Sequence, residues 1–155
     1  MTQVLLAIDP GKTGAIAAFR KGLFTAVCGA AASELAKLLQ VLRADNPRVV
    51  IEQVNGAPGQ SGPASFNFGK AYGELLGVCI ALDVEPVLIR PVDWKGGLGL
   101  RREYGESIAS FKRKSLVMAR ELWPQHAKSF FARSKDDGAA EAALLGHYAL
   151  TQGIV

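Results

Sequence analysis

Four acidic side chains stand where they could bind a metal ion together. Asp9 ends an apolar run before a Pro-Gly turn, and Glu52 ends a second apolar run. Asp137 and Glu141 are four residues apart near the C-terminus, a spacing that places both on one face of a helix. Carboxylates at the ends of apolar strands are costly unless a cation meets them there. The pattern predicts a magnesium site.

Simpler explanations exist for some of these acids. Asp9 precedes Pro and Gly, and all three residue types favour turns. Asp136 and Asp137 also fit an N-terminal helix cap. Glu52 has no such alternative. Glu141 is the lone acid in the run GAAEAALL, and a helix with so little polar surface predicts that this carboxylate has a partner.

A basic segment separates the second acid from the last two. Residues 90–120 contain eight Lys or Arg against three acids, whereas the net charge of the whole chain is only +4. Cations beside a group of carboxylates offset the field of those acids and allow a polyanion such as a phosphodiester to approach. A solvated helix face is the alternative explanation for the segment.

Length and composition limit the class of protein. A chain of 155 residues, 49% of them hydrophobic, is of one-domain size and can bury a substantial core, so we expect one domain over residues 1–155. No apolar stretch approaches the ~20 residues that span a bilayer, and the N-terminus lacks the pattern of a signal peptide. We therefore expect a cytoplasmic protein, with no membrane partner.

The hydrophobic pattern predicts a mixed α/β sheet with helices on its faces. Strands are predicted at 4–8, 15–20, 23–27, 48–52 and 84–89, the first three as an antiparallel meander. Helices are predicted at 34–44 after Ser33 as N-cap, at 66–82, from Ser110 or Lys112 to 122, and at 136–150. Residues 56–65 are predicted as a loop and 91–104 as an irregular connection.

Four short motifs in this order resemble the RuvC-like Holliday-junction resolvases of the ribonuclease H-like superfamily, especially their bacteriophage members. The motifs are IDPGKTG at 8–14, IEQV at 51–54, FNFGK at 66–70 and KDDGAAEA at 135–142. The resemblance covers nearly the whole chain. It implies a five-stranded mixed sheet, with three antiparallel strands and then parallel ones, flanked by helices on both faces.

The resemblance also implies two Mg²⁺ ions per active site, with Mn²⁺ as a substitute. Asp9 would bridge the metals, Glu52 would bind one of them, and Asp137 and Glu141 would complete the ligand set. Many relatives carry two aspartates three residues apart, but Gly138 occupies the position three before Glu141. Asp136 is therefore the substitute for Asp137 if the last helix begins late.

DNA contacts are expected from the loops and the basic segment. Some relatives carry a phenylalanine three residues after the second acid, where this chain has Asn55, so Phe66 and Phe68 are the available wedges between bases. The same phenylalanines fit an anchoring role in the core. The candidate phosphate contacts are basic: Lys70, Lys95, Arg101, Arg102, Lys112, Arg113 and Lys114, the last three expected at a helix start.

By resemblance the chain is a crossover junction endodeoxyribonuclease: it would resolve four-way or related branched DNA in recombination and repair by paired hydrolysis, in a bacterial or phage-infected cell. Paired cuts imply a homodimer, for which the helix at 71–82 is a candidate interface and equally a core element. Two alternatives stay open. One is a non-catalytic DNA-binding member of the fold. The other, from the turn at 9–14, is an actin-like or sugar-kinase ATP-binding domain, although no nucleotide cofactor is expected in so short a chain.

Overall fold

A five-stranded mixed sheet forms the centre of the computed structural model, which describes residues 3–55 and 61–155. The strands are β1 Val4–Asp9, β2 Ala15–Arg20, β3 Leu23–Gly29, β4 Arg48–Glu52 and β5 Val87–Ile89, in the order β3-β2-β1-β4-β5. Strands β1, β2 and β3 pair antiparallel, while β1, β4 and β5 are parallel. The predicted sheet is confirmed.

Helices cover both faces of this sheet. They are α1 Ala32–Val41, α2 Gly62–Ala81, α3 Pro91–Gly97, α4 Ile108–Leu122, α5 Ala127–Phe130 and α6 Asp137–Thr151, with 3₁₀ turns at Arg43–Asp45, Pro124–His126 and Ser134–Asp136. One core packs α1 and α2 against the sheet, and the other packs α3, α4 and α6 against the opposite face. No helix within the described ranges is long and apolar enough to cross a membrane.

Helix α6 lies directly on the sheet because its sequence is rich in small residues. It is buried along most of its length and contacts β1 and β2. A Cβ atom at Gly146 would overlap the ring of Phe19 and approach Ala7, so glycine permits this close approach. The near-continuous apolar runs of β1 and β4 agree with strands that are covered on both faces.

Several predicted boundaries are wrong for local reasons. Helix α1 begins at Ala32 after Ala31, so Ser33 is not the N-cap. Helix α2 begins at Gly62, within the predicted loop, because the Ser61 hydroxyl accepts a hydrogen bond from the backbone N–H of Ala64. Residues 56–60 of that loop lie outside the described residues.

The region after the fourth strand also differs from its prediction. Strand β5 begins at Val87 rather than at residue 84. The expected irregular connection contains α3, which Pro91 starts at a position where a helix needs no backbone N–H. Helix α4 begins at Ile108, capped by Ser107, earlier than either predicted start.

Candidate metal centre

The pairing of β1 with β4 places Asp9 beside Glu52. The two strands are parallel, and Ile8 lies opposite Ile51, so the next residue of each strand is an adjacent pair at the carboxyl edge of the sheet. Ile8 and Ile51 belong to the core under α1 and α2. Because side chains alternate along a strand, the two carboxylates point to the other face, toward α6.

Glu141 completes a group of three carboxylates. It projects from α6, is only 8% exposed, and offers an oxygen that lies, with one oxygen each from Asp9 and Glu52, in a set whose members are all within 4.8 Å of one another. Three convergent oxygen donors suit a hard cation such as Mg²⁺ or Mn²⁺. The residues present therefore fit the metal that the sequence predicts.

The electrostatics of the group reflect crowding of like charges. Burial raises the pKa of Asp9 well above its ordinary value, and the negative charges of Glu141 and Glu52 raise it further. Burial also raises the pKa of Glu52. A cation among the three carboxylates would offset both the cost of burial and the repulsion between like charges. The site therefore favours the binding of a positive charge.

Helix α3 brings a lysine and a tryptophan to the carboxylates. The Lys95 ammonium bonds to Glu141 Oε1 at 3.1 Å, and its side chain is only 18% exposed. The indole Nε1 of Trp94 donates a hydrogen bond to Glu52 Oε2 at 2.7 Å. Lys95, one of the predicted phosphate contacts, thus lies beside the carboxylates. The sequence analysis did not predict a role for Trp94. A tryptophan followed by a lysine shortly after β5 was the pattern that could have indicated it.

Asp136 and Asp137 have different surroundings in the structure. Asp137 is 8% exposed and accepts a hydrogen bond from Lys112 Nζ at 2.6 Å, and its charge contributes to the raised pKa of Asp9. Asp136 instead accepts from the backbone and guanidinium of Arg133, at 2.8 and 2.9 Å. Asp137 therefore lies near the three carboxylates without belonging to their group. Asp136 instead caps the 3₁₀ turn before α6.

Gly138 explains why no acid stands three residues before Glu141. A Cβ atom at Gly138 would overlap the carbonyl oxygen of Thr13 in the turn after β1. The first turn of α6 and the β1–β2 turn are in backbone contact at this point. Position 138 consequently has no room for a side chain, and the acid in this first turn of the helix is Asp137.

The three consecutive cations of the basic segment have different surroundings. Helix α4 begins at Ile108, so they lie beyond its first turn, and the expectation of a helix start is wrong. Lys112 reaches Asp137, whereas Lys114 bonds to Glu106 Oε2 at 2.9 Å and to the Arg101 carbonyl at 3.0 Å. Arg113 is exposed. Lys112 thus contacts an acid of the candidate metal centre, whereas Lys114 stabilises the local structure of the basic segment.

Most of the other predicted DNA contacts are exposed. Phe66 is 72% exposed near the start of α2, so it does not anchor the helix in the core. Phe68 is half-buried, with Cε2 3.3 Å from the position of a Cβ on Gly11, in the turn that follows Asp9. The cations Lys70, Arg101 and Arg102 are exposed, and the Lys70 ammonium is 4.0 Å from the Glu74 carboxylate.

The hydrogen bonds of Glu106 predict how the free energy of unfolding changes as the pH falls. Its carboxylate accepts hydrogen bonds from the backbone N–H of Glu103, from Lys114 and from Ser110, which lower its pKa to about 2. These interactions stabilise the fold fully above the ordinary value of 4.5 and are lost as the pH falls toward about 2. Glu106→Gln should lower the free energy of unfolding at pH 7, with a deficit that shrinks below pH 4.5.

Urea unfolding of both proteins between pH 2 and 7 measures this difference. The exposed Glu121 on α4 provides a matched control, because Glu121→Gln removes the same charge away from the network. A Glu106→Gln deficit that stays constant over the whole pH range would contradict the assignment.

Structural comparison identifies the fold. A structure of Thermus thermophilus RuvC in complex with a Holliday junction substrate matches with a TM-score of 0.59 at 17% identity, over 97% of this chain and 96% of that chain. A second Thermus thermophilus RuvC structure matches with a TM-score of 0.53 at 21% identity, over 97% of both chains. No protein-family model and no curated protein matches the sequence. The chain has the RuvC, ribonuclease H-like fold, as predicted, and membership of the bacteriophage type stays a prediction.

Proposed function

We propose that this protein is a magnesium-dependent endonuclease that cuts Holliday junctions or related branched DNA by paired phosphodiester hydrolysis. One observation carries the proposal: Asp9, Glu52 and Glu141 converge at the carboxyl edge of a RuvC-like sheet. The acids come from two strands and a helix that are far apart in sequence, and nothing in the packing of a core requires three carboxylates to meet. A cation-dependent reaction does require it.

The group of carboxylates supports one ligand set. Asp9, Glu52 and Glu141 would hold the metal together, and Asp137 would be an outer fourth acid. When bound, Mg²⁺ would supply an activated water and stabilise the departing oxygen, and Mn²⁺ would serve as a substitute. The four acids of this chain would hold and orient the ions; no covalent nucleophile is needed.

The lysines at the centre would meet the charge of the substrate. Lys112 is 49% exposed at its side chain while its ammonium touches Asp137, so it can also reach a phosphate in front of the carboxylates. Lys95 is more deeply placed, against Glu141. Cations fixed in a partly dehydrated site stabilise developing negative charge more effectively than mobile surface lysines.

Branched DNA would lie across the edge of the sheet that carries these groups. Exposed Phe66 can stack on an unpaired base, and Phe68 lies beside the turn that follows Asp9. Arg101, Arg102 and Arg113 are exposed on the side of the basic segment and can receive backbone phosphates. Lys114 has its main role within the protein.

Paired cleavage also implies a homodimer, and α2 offers a face for it. Gly73, Gly77 and Ile80 follow helical spacing and are exposed, with Ile80 78% exposed. Only Leu75 and Cys79 of this helix are buried. An apolar, small-residue face of this kind supports a helix-mediated contact between two copies, which would direct two active sites to opposite strands.

The decisive test is cleavage of synthetic DNA in Mg²⁺. Four-way junction, fork, duplex and RNA–DNA hybrid substrates should be compared for the wild type, Glu141→Gln and Glu85→Gln. We expect symmetric nicks in the junction that Glu141→Gln abolishes and that Glu85→Gln preserves, because Glu85 is exposed and precedes β5 at the opposite edge of the sheet. Tight junction binding without cleavage by the wild type would favour a non-catalytic DNA-binding protein instead.

A further inference from the structure

A buried tryptophan directs the only hydrogen-bond donor of its side chain at one of the carboxylates of the candidate metal centre. Trp94 is 0% exposed, and its indole N–H donates to Glu52 Oε2 at 2.7 Å. The distance is short for an N–H donor, as expected when the acceptor carries a charge. One carboxylate oxygen accepts this bond, and the other oxygen would be available to a cation.

The Trp94 indole also packs against Lys95, the lysine that forms an ion pair with Glu141. Lys95 Nζ lies 5.1 Å from the centroid of the Trp94 ring and 5.7 Å from that of Phe111. A cation held against two aromatic rings loses conformational freedom and keeps its charge at a fixed place. Trp94 therefore contacts two polar groups of the centre, Glu52 through its edge and Lys95 through its face.

The indole is itself held rigidly. It lies in the core beneath α6, and α3 packs so closely on that helix that a Cβ atom on Gly97 would overlap the ring of Tyr148. Buried side chains in such packing keep one rotamer. A glutamate has several rotatable bonds, and a fixed donor restricts them before a ligand arrives.

We propose that Trp94 is a positioning residue, which fixes the Glu52 carboxylate and the Lys95 ammonium in the arrangement that binds the divalent cation. The inference rests on the proposed function only in taking Glu52 as a metal ligand. Partners that orient metal ligands from behind typically change metal affinity by about 10–100-fold when they are removed. Trp94 would act through Glu52 and Lys95, without touching the metal or the DNA.

The test compares Trp94→Phe with Trp123→Phe. Trp123 is the second tryptophan of the chain and is buried among Phe19, Phe24 and Phe131, so its replacement is a matched loss of aromatic core. Mn²⁺ binding without DNA is measured from the electron paramagnetic resonance signal of the free ion. Trp94→Phe should weaken Mn²⁺ binding by about 10–100-fold, and Trp123→Phe should leave it unchanged while lowering Tm.

Cleavage kinetics separate positioning from a general loss of structure. Trp94→Phe should need more Mn²⁺ for half-maximal cleavage, whereas Trp123→Phe should need the wild-type concentration. Equal Mn²⁺ affinities for Trp94→Phe and the wild type, or equal losses in both tryptophan variants, would overturn the inference. Wild-type protein that binds Mn²⁺ but cuts no DNA would instead defeat the proposed function, and the binding comparison would still decide the role of Trp94.

If Trp94→Phe does not fold, tryptophan fluorescence provides a second test of the proposal. In Trp123→Phe, Trp94 is the only tryptophan left, and Mn²⁺ held by Glu52 should quench its emission with the dissociation constant found by resonance. Emission that saturating Mn²⁺ leaves unchanged would show that the indole does not report on the metal ligand, and would overturn the proposal.

Discussion

Asp9→Asn should abolish junction cleavage and at the same time stabilise the metal-free protein. The Asp9 carboxylate is crowded by Glu141 and Glu52, and burial adds to the cost of its charge. A neutral amide of the same size removes both penalties. The same change removes the proposed bridging ligand, so stability and activity should move in opposite directions, as expected for a residue retained for function.

Cleavage by Asp9→Asn should fall by on the order of 1,000-fold, which corresponds to about 4 kcal/mol of transition-state stabilisation. Its Tm without metal should rise by about 2–4 °C for each kcal/mol regained. Mg²⁺ should raise the Tm of the wild type more than that of the variant, since only a state that binds the ion is stabilised by it.

Asp93→Asn is the control for this comparison. Asp93 forms an exposed ion pair with Arg90 at 2.8 Å, near the centre in sequence but outside its group of carboxylates. Its replacement should leave cleavage intact and should not raise Tm. Full cleavage by Asp9→Asn would refute the proposed function, and a lower Tm for Asp9→Asn would refute the electrostatic account of the site.

Gly138→Ala should be the most damaging small substitution in α6. The added methyl group would overlap the backbone carbonyl of Thr13, and a backbone atom cannot rotate away as a side chain can. Overpacking of this kind costs about 1–3 kcal/mol and occasionally more. Relief requires α6 to move away from the turn after β1, and that movement carries Asp137 and Glu141 with it. A displacement of about 1 Å can reduce catalysis by about 100-fold.

Gly69→Ala in α2 is the matched control, because among the described residues no atom beyond its own stretch of helix lies within 4 Å of the position of its Cβ. Alanine in place of a helical glycine should stabilise the protein by about 0.5–1 kcal/mol. Thermal unfolding and junction cleavage of both variants measure the contrast. Equal stability of Gly138→Ala and the wild type would show that α6 does not approach the β1–β2 turn as closely as the structure indicates.

The sequence was sufficient for the sheet and for the acids at its edge. Apolar runs such as Val49–Ile51 define strands by composition alone, and an acid at the end of a strand reaches the edge whatever the loops do. Helix starts were less predictable. Ser33 and Ser61 are the same residue type near a helix start, yet only Ser61 is an N-cap, because α1 already begins at Ala32.

The tertiary structure alone decided which groups the individual side chains of the candidate site contact. Asp136 and Asp137 are adjacent and identical in type, and only the positions of Arg133 and Lys112 distinguish them. Lys112 and Lys114 are likewise distinguished only by their partners, which are Asp137 for Lys112 and Glu106 for Lys114. Trp94 meets Glu52 across 42 residues of sequence, and Lys95 meets Glu141 across 46. Local sequence encodes which element forms and where it ends, whereas contacts over such separations depend on how the helices pack on the sheet.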